Sequence, residues 1–537
     1  MRSFSTVDFV RVLSWAKKYL ASGPPLHPFL FGLFPVLFLW ANNLDELSYT
    51  AGPADVGVPV ILVLLATLVG WLLLRFLLRD GRKAAVLAAF VLAIFFFYGR
   101  VFEALTDAGI LAKLGLYTRY FIIIWLAWLL PVAFLIIRVK SDLVTITNLL
   151  NVVAVVLVVI QSVNIVLHQI APDDLGRKAG PEQLVGSTRE VTVKPDIYYV
   201  VLDAYTSSKN LEDLFSYDNS GFEDFLTSRG FFVADDGRSN YGSTQMSLSS
   251  SLNMQHLLHL GGPQPALVYV DFIKENAVMK FLRDLDYQIL HFKERWMSDN
   301  HESYGDAYIG CENQEGLFNV AGSNLWKLSD FSVALVQTTL LEPFLREVGS
   351  VAPFYQSAAL CDFQSLVGIV DSPGPKFVFA HMLGAHPPFV FGPDGELPPP
   401  QVRFLEYESE SNYLGQVTYT NRRMKEIVDE IIAGSVIPPI IIIQGDHGSG
   451  FYGEDPTPQG IRERFPIMNA LRLPAGHEAL YPSISPVNTF RVLFNTYFGT
   501  DLELVDDTSY YNHTAESGGE YLDVTDAATA PWSGGGR

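Results

Sequence analysis

Three apolar runs in the second half of the chain end in residues able to do chemistry. DIYYVVLDAY closes on Asp203, KFVFAHMLGAHPPF carries His381 and His386, and PPIIIIQGDHGSG closes on Asp446 and His447. Short β-branched runs of this kind are expected of central strands buried on both faces. In a parallel sheet, ligands gather beyond the carboxyl ends of such strands. Two carboxylates and an imidazole collected there would offer hard oxygen and nitrogen donors suited to zinc, manganese or magnesium. Taken singly, an Asp after a strand more often caps a turn. Asp203 and Asp446 therefore gain meaning only with a nucleophile beside them.

The segment RSNYGSTQMSLSSSLNMQHLLHL supplies that nucleophile. A turn containing Gly242 leads into a helix opening near Ser243 or Thr244, and the amides and dipole of a helix N-terminus favour an anionic group such as phosphate or sulfate. A divalent cation beside a hydroxyl is one standard way to activate a weak nucleophile. The everyday role of Ser243 or Thr244 at this place is an N-cap. As one set, however, Asp203, Thr244, Asp446 and His447 fit a metal-assisted nucleophile better than a collection of caps. The spacing around Gly384 and the Pro387-Pro388 pair predicts a loop turning over the sheet edge, which brings His381 and His386 to the same site. His256, His259 and His301 read as core or surface residues. Arg464 suits an oxyanion partner no better than a structural salt bridge, and it stays outside the site.

These residues need a scaffold. Helical spacing appears near 208–229, 244–260, 409–433 and 485–497, and its alternation with the apolar runs predicts an α/β domain with a mostly parallel sheet. About 340 residues follow position 194, enough for one large domain with a sizeable core. Residues 171–194 are polar and contain Gly and Pro, which reads as a linker. Residues 515–537 are small and polar and read as a frayed tail, leaving 195–514 as the domain that carries the site. Cys311 and Cys361 are the only cysteines, and a disulfide or two free thiols are equally compatible with their spacing.

The first 170 residues are of a different kind. The 537-residue chain is 49% hydrophobic and 18% charged, with a mean hydropathy of +0.22, too apolar for a single water-soluble domain. Apolar runs at 28–44, 58–78, 84–102, 120–138 and 148–170 predict about five membrane crossings in a helical bundle over residues 1–170. Residues 5–21 mix apolar and basic side chains, as a helix lying in the cytoplasmic interface would. Arg75, Arg79, Arg82 and Lys83 join the second run to the third, and Arg138 and Lys140 join the fourth to the fifth. By the positive-inside rule the N-terminus is then cytoplasmic, and an odd number of crossings puts the second half outside. Net charge divides the same way: of the formal −20, the first 170 residues carry +5 and the rest −25. So acidic a half would repel a phosphate backbone, which argues against nucleic acid as a partner.

The order of motifs resembles a known family. A strand ending in Asp, some forty residues later a Thr at a helix start, then HxxxxHPPF, then GDHG is similar to the sulfatase-type branch of the alkaline phosphatase superfamily. With membrane spans ahead of it, the layout resembles phosphoglycerol transferases of the lipoteichoic-acid-synthase type and phosphoethanolamine transferases. The resemblance implies one divalent ion (Mn, Zn or Mg) on Asp203, Thr244, Asp446 and His447, with Thr244 attacking and His381 and His386 contacting the substrate. It further implies transfer of a phospho-headgroup from a membrane lipid to a lipid or glycan acceptor of the envelope, outside a bacterial inner membrane. Two departures stand out: those transferases usually carry Glu where this chain has Asp203, and the cysteine signature of formylglycine sulfatases is missing. A hydrolase of sulfate or phosphate esters is the alternative chemistry. A catalytically silent membrane scaffold is the alternative of another class.

Overall fold

A computed structural model describes residues 24–44, 53–107, 110–111, 118–170, 193–262, 266–292, 305–309, 330–343, 352–399, 407, 409–453, 456–512 and 520–532. The interfacial segment 5–21, nearly all of the linker 171–194 and Cys311 lie outside them. The chain forms two compact units, Met1–Pro172 with Gly316–Ser350, and Asp173–Glu315 with Val351–Arg537.

The first unit is helical: α1 (His27–Asn42), α2 (Pro53–Leu78), α3 (Gly81–Asp107), α4 (Thr118–Ala127), α5 (Leu129–Arg138) and α6 (Val144–Ile170). Among the described residues, four stretches are long and apolar enough to cross a bilayer: Asp55–Leu78, Gly81–Thr106, Tyr120–Arg138 and Val144–Leu167. This corrects the expected five. The run at 28–44 becomes a helix of only 16 residues, which at 1.5 Å per residue reaches about 24 Å against a hydrocarbon core of roughly 30 Å. Ile61, Leu65, Leu73 and Phe76 of α2 and Leu130 and Leu135 of α5 are exposed, as side chains turned towards lipid would be.

A segment from the second half of the sequence joins this unit, outside the boundaries expected at 170 and 195. Helix α7 (Asp330–Gln337) places Phe331 and Leu335 in one core with Val36, Leu39, Val56 and Phe96. Its continuation bonds the backbone of α3. The Gly99 N–H donates to Thr338 O at 3.0 Å, and the Leu340 N–H donates to Phe95 O at 2.9 Å. Those are the two groups that one turn of helix would pair with each other. A Cβ on Gly99 would stand 2.1 Å from Gln337 O, so only glycine admits the segment here.

The second unit is built on a seven-stranded sheet: β1 (Ile197–Leu202), β2 (Phe232–Val233), β3 (Gln288–Phe292), β4 (Ala307–Ile309), β5 (Lys376–Met382), β6 (Ile440–Gly445) and β7 (Asn469–Arg472), in the order β2-β7-β6-β1-β5-β3-β4. The five strands from β6 to β4 are parallel, and β7 is antiparallel to both of its neighbours. The α/β class with a mostly parallel sheet is as expected. Every residue of β1 is buried. Tyr198, Val200 and Leu202 pack with Tyr413, Val417, Met424 and Ile427 of α8 (Glu410–Gly434). On the other face Ile197, Tyr199 and Val201 pack with Phe490, Leu493 and Phe494 of α9 (Pro486–Phe498) and with Leu248 and Leu252 of α10 (Thr244–Asn253). Layers on both faces explain why the strands read as unbroken apolar runs rather than alternating ones.

Part of the expected tail is docked. Val524 and Ala528 are buried against Ile461 and Phe465, and Arg462 Nε donates to Ala530 O at 2.9 Å. Cys361, on the helix Ala352–Gly368, is disulfide-bonded.

Replacing Gly99 by Leu is expected to displace Thr338–Leu340 from α3. Filling a close backbone contact typically costs about 1–3 kcal/mol, so purified full-length protein should unfold at lower temperature and be cut faster within Gly316–Ser350 by protease. An unchanged cleavage rate would contradict the docking.

Candidate active site

The three strands singled out in the sequence are neighbours. β1 lies between β6 and β5, with Leu202 opposite both Gly445 and Met382. Their carboxyl ends are therefore level, and Asp203 and Asp446 each stand one residue past the end of a strand. His381 lies opposite Val201, inside β5. The loop that follows closes over β1: Asp203 N–H donates to Met382 O at 3.0 Å and Ala385 N–H to Asp203 O at 2.8 Å.

Thr244 comes from the opposite side. Ser243 holds the N-cap position of α10 without a side-chain capping bond, and Thr244 is the first helical residue. Neither hydroxyl is spent on a cap. Thr244 Oγ1 lies 3.3 Å from His447 Nε2. The stretch SLSSSLN keeps α10 in place. Ser247, Ser249, Ser250, Ser251 and Asn253 are all buried, and small side chains let neighbouring helices approach closely. Ser249 donates to Tyr269 O at 2.7 Å, and Asn253 Nδ2 donates to Ser249 O and Phe272 O at 2.8 and 2.9 Å. A buried helix with satisfied polar groups gives Thr244 a rigid mount.

Around Thr244 the donors converge. His447 Nε2 is 3.4 Å from Asp446 Oδ2 and 3.7 Å from Asp203 Oδ1. His381 Nε2 is 3.7 Å from Asp203 Oδ2 and 3.8 Å from Asp446 Oδ2. Asp203, His381 and Asp446 form a group whose ligand atoms lie within 4.8 Å of one another. Ligands about 2.0–2.1 Å from a tetrahedral zinc stand roughly 3.3 Å apart, so a small cation suits this spacing. The carboxylates supply a second indication. Asp446 Oδ1 accepts from Ala204 N and His447 N at 3.0 and 2.9 Å, whereas Asp446 Oδ2 and Asp203 Oδ1 are buried with no hydrogen-bond partner among the described residues. Buried carboxylate oxygens call for a compensating charge. The residues present thus fit a divalent ion.

Electrostatics agree with that reading. Burial first, and then the nearby charge of Asp446, raises the pKa of Asp203 despite the opposing imidazoles. Burial alone would raise Asp446 as well, but His447, His381, Thr244 and the Ala204 amide bring it below the ordinary carboxylate value. For His447, burial and then the Arg464 guanidinium push the pKa down to about 3, leaving a neutral ring. Its Nδ1 lies 2.9 Å from Gly448 O, which places the proton on Nδ1 and turns the Nε2 lone pair towards Thr244.

The sequence reading placed His381 and His386 together as substrate contacts, but their surroundings differ. His381 sits among the carboxylates. His386 lies outside that group: its Nδ1 bonds Pro387 O and its ring is 6.3 Å from that of His447. Arg464, left aside in the sequence, belongs here. It makes no ion pair among the described residues; Nε donates to Gly242 O at 2.7 Å, and Nη2 lies 3.3 Å from His447 Nε2. Charge alone could not reveal this, because Arg462, two positions earlier, pairs with Asp213 instead. A cavity of about 100 Å3 near the start of α10 is lined by Gly242, Ser243, Met246, Arg464, Phe465 and Tyr511, among others.

No family model and no curated protein matches the chain. Several solved structures do. The C-terminal periplasmic domain of EcEptC from Escherichia coli, in complex with Zn, is 12% identical, with a TM-score of 0.40 over 65% of this chain and 96% of that one. A putative sulfatase from Bacteroides thetaiotaomicron is 11% identical, at 0.37 over 60% and 74%. A protein of the alkaline phosphatase superfamily from Vibrio parahaemolyticus is 11% identical, at 0.38 over 63% and 79%.

The two histidines should separate experimentally. In full-length protein purified with zinc, His381→Ala and Asp446→Asn are expected to lower bound zinc well below one per chain, while His386→Ala retains it. Elemental mass spectrometry of the purified variants measures this, and zinc retained in His381→Ala would remove His381 from the group.

Proposed function

We propose that this chain is a membrane-bound enzyme that moves a phospho-headgroup from a membrane lipid to an envelope acceptor, through a covalent intermediate on Thr244. The observation that carries the proposal is the placement of an uncapped Thr244 hydroxyl at a helix N-terminus, 3.3 Å from a neutral His447 and beside two buried carboxylate oxygens. Asp203, Asp446, His447 and Thr244, with His381, would hold one divalent ion. That ion would supply Lewis-acid polarisation and charge neutralisation.

The chain's own residues account for the rest. Thr244 Oγ1 forms a bond to phosphorus while the ester bond to the lipid alcohol breaks, and the hydroxyl proton balances the charge on the departing oxygen. An acceptor hydroxyl then takes the group from Thr244 and returns a proton to it. Splitting the transfer in this way replaces one difficult displacement by two easier ones. The first amides of α10 and the Arg464 guanidinium face the charge that builds on the phosphoryl oxygens. His386, apart from the donor group, would meet the departing oxygen.

Lipid as donor follows from the anchor. A site on a membrane-bound chain meets lipid headgroups at a raised effective concentration without additional contacts. Sidedness rests on the basic loops rather than on counting spans. With four crossings, Arg79, Arg82 and Lys83 after the first and Arg138 and Lys140 after the third mark the cytoplasmic side. The segment after Leu167 is then extracytoplasmic whichever way α1 lies.

The test is the mass of the peptide bearing Thr244, from full-length protein purified with its native lipids. A phosphoglycerol or phosphoethanolamine adduct, absent from Thr244→Ala, is the expected result. A bare phosphate or sulfate would replace transfer by hydrolysis. An unmodified peptide in a protein that holds no metal would point to the scaffold.

A further inference from the structure

Tyr407 carries no signal in the sequence, yet its ring is held at the site. Its centroid lies 5.8 Å from that of His386, 5.9 Å from Phe389 and 5.1 Å from Phe451, each in an edge-on arrangement. Gly450, four residues after Asp446, marks where it meets Arg464. A Cβ on Gly450 would stand 3.0 Å from Tyr407 Cε2 and 3.2 Å from Arg464 Nη1, so the phenol ring and the guanidinium converge over the bare α-carbon.

The hydroxyl at the end of this ring is buried and has no hydrogen-bond partner among the described residues. Buried tyrosine hydroxyls are normally paired. Burial and the charges of Asp203 and Asp446, opposed by Arg464, raise its pKa well above the ordinary value, so it remains an O–H donor.

We propose that Tyr407 is a substrate-contacting residue whose hydroxyl, beside Arg464, donates a hydrogen bond to an anionic oxygen of the group that Thr244 receives. The inference rests on the phosphoryl chemistry proposed above. An anionic phosphoryl oxygen only accepts hydrogen bonds, and a fixed donor with no partner among the described residues is its complement.

Tyr407→Phe removes only the unpartnered oxygen. The experiment uses full-length, zinc-loaded protein in detergent and compares wild type, Tyr407→Phe and Thr244→Ala. Inorganic phosphate serves as the binding probe in calorimetry and bis(para-nitrophenyl) phosphate as the turnover probe. Tyr407→Phe is expected to keep its zinc and unfold no earlier than wild type, because losing an unpaired buried hydroxyl costs no hydrogen bond. It should bind phosphate about 10-fold more weakly and lose roughly 100- to 1,000-fold in kcat, the range for removing one preorganised donor. Wild-type affinity and turnover in Tyr407→Phe would overturn the assignment. So would a parallel fall in zinc content and unfolding temperature, the mark of a structural hydrogen bond. Wild-type protein that holds zinc but behaves like Thr244→Ala with both probes would overturn the phosphoryl chemistry and this inference together, which distinguishes that failure from the first two.

Discussion

Two carboxylates side by side, Asp446 buried and Asp203 half-buried, are the constraint on which the second unit turns. Asp203 and Asp446 follow adjacent parallel strands whose ends are level, so the sheet register alone forces them together. Like charges in a poorly solvated place raise the free energy of the fold unless something opposes them. Asp446 divides the work between its oxygens: one accepts two backbone amides and ties the turn after β6 to the turn after β1, while the other faces His447 and His381. The amides hold the geometry, and the unpaired oxygens leave a place for a cation. Fold and site therefore share the same two residues, and a change at either would disturb both.

That economy explains the unusual polarity of the surrounding layers. Helix α10 buries a row of serines and an asparagine where an ordinary core helix would bury leucines. Ser249, Ser250, Ser251 and Asn253 each donate to a backbone carbonyl, so the cost of their burial is offset, and the small side chains bring the Thr244 end of the helix close to the strand ends. Leucines at the same positions would pack as densely but would hold the helix farther out.

What the sequence made legible follows from what each signal depends on. β1, β5 and β6 were visible because strands buried on both faces must be apolar throughout, and Asp203, His381, Asp446 and His447 were visible because they end or lie within those strands. Thr244 was visible because a turn glycine and a helix start leave only one or two hydroxyls in place. Arg464 and Tyr407 were not, since their roles depend on contacts between distant parts of the chain: Arg464 with Gly242, and the Tyr407 ring with Phe389 and Phe451. Neither contact leaves a periodic trace. The span count failed at α1 because the apolar run at 28–44 is itself too short: the 16-residue helix it forms reaches about 24 Å against a hydrocarbon core of roughly 30 Å. Segment 330–343 was hidden because its partner on α3 is the helix backbone at Phe95 and Gly99 rather than any complementary side-chain pattern.

The acidity of the second half sharpens the part that the site must play. A formal charge of −25 over the residues after 170 repels any anionic substrate at long range, although salt screens this beyond about 8–10 Å. Attraction must therefore come from groups within the last few ångströms. On the proposed reading Arg464, the amides at the start of α10 and the Tyr407 hydroxyl would be such groups, and two of their acidic neighbours, Asp203 and Asp446, would be neutralised by a divalent ion. Without the ion, the carboxylates would oppose the very group that Arg464 attracts. For the proposed lipid donor, metal binding and substrate binding would in this way be one electrostatic problem, and a lipid bilayer, which delivers its headgroups at high local concentration, would relieve the need for attraction over any greater distance.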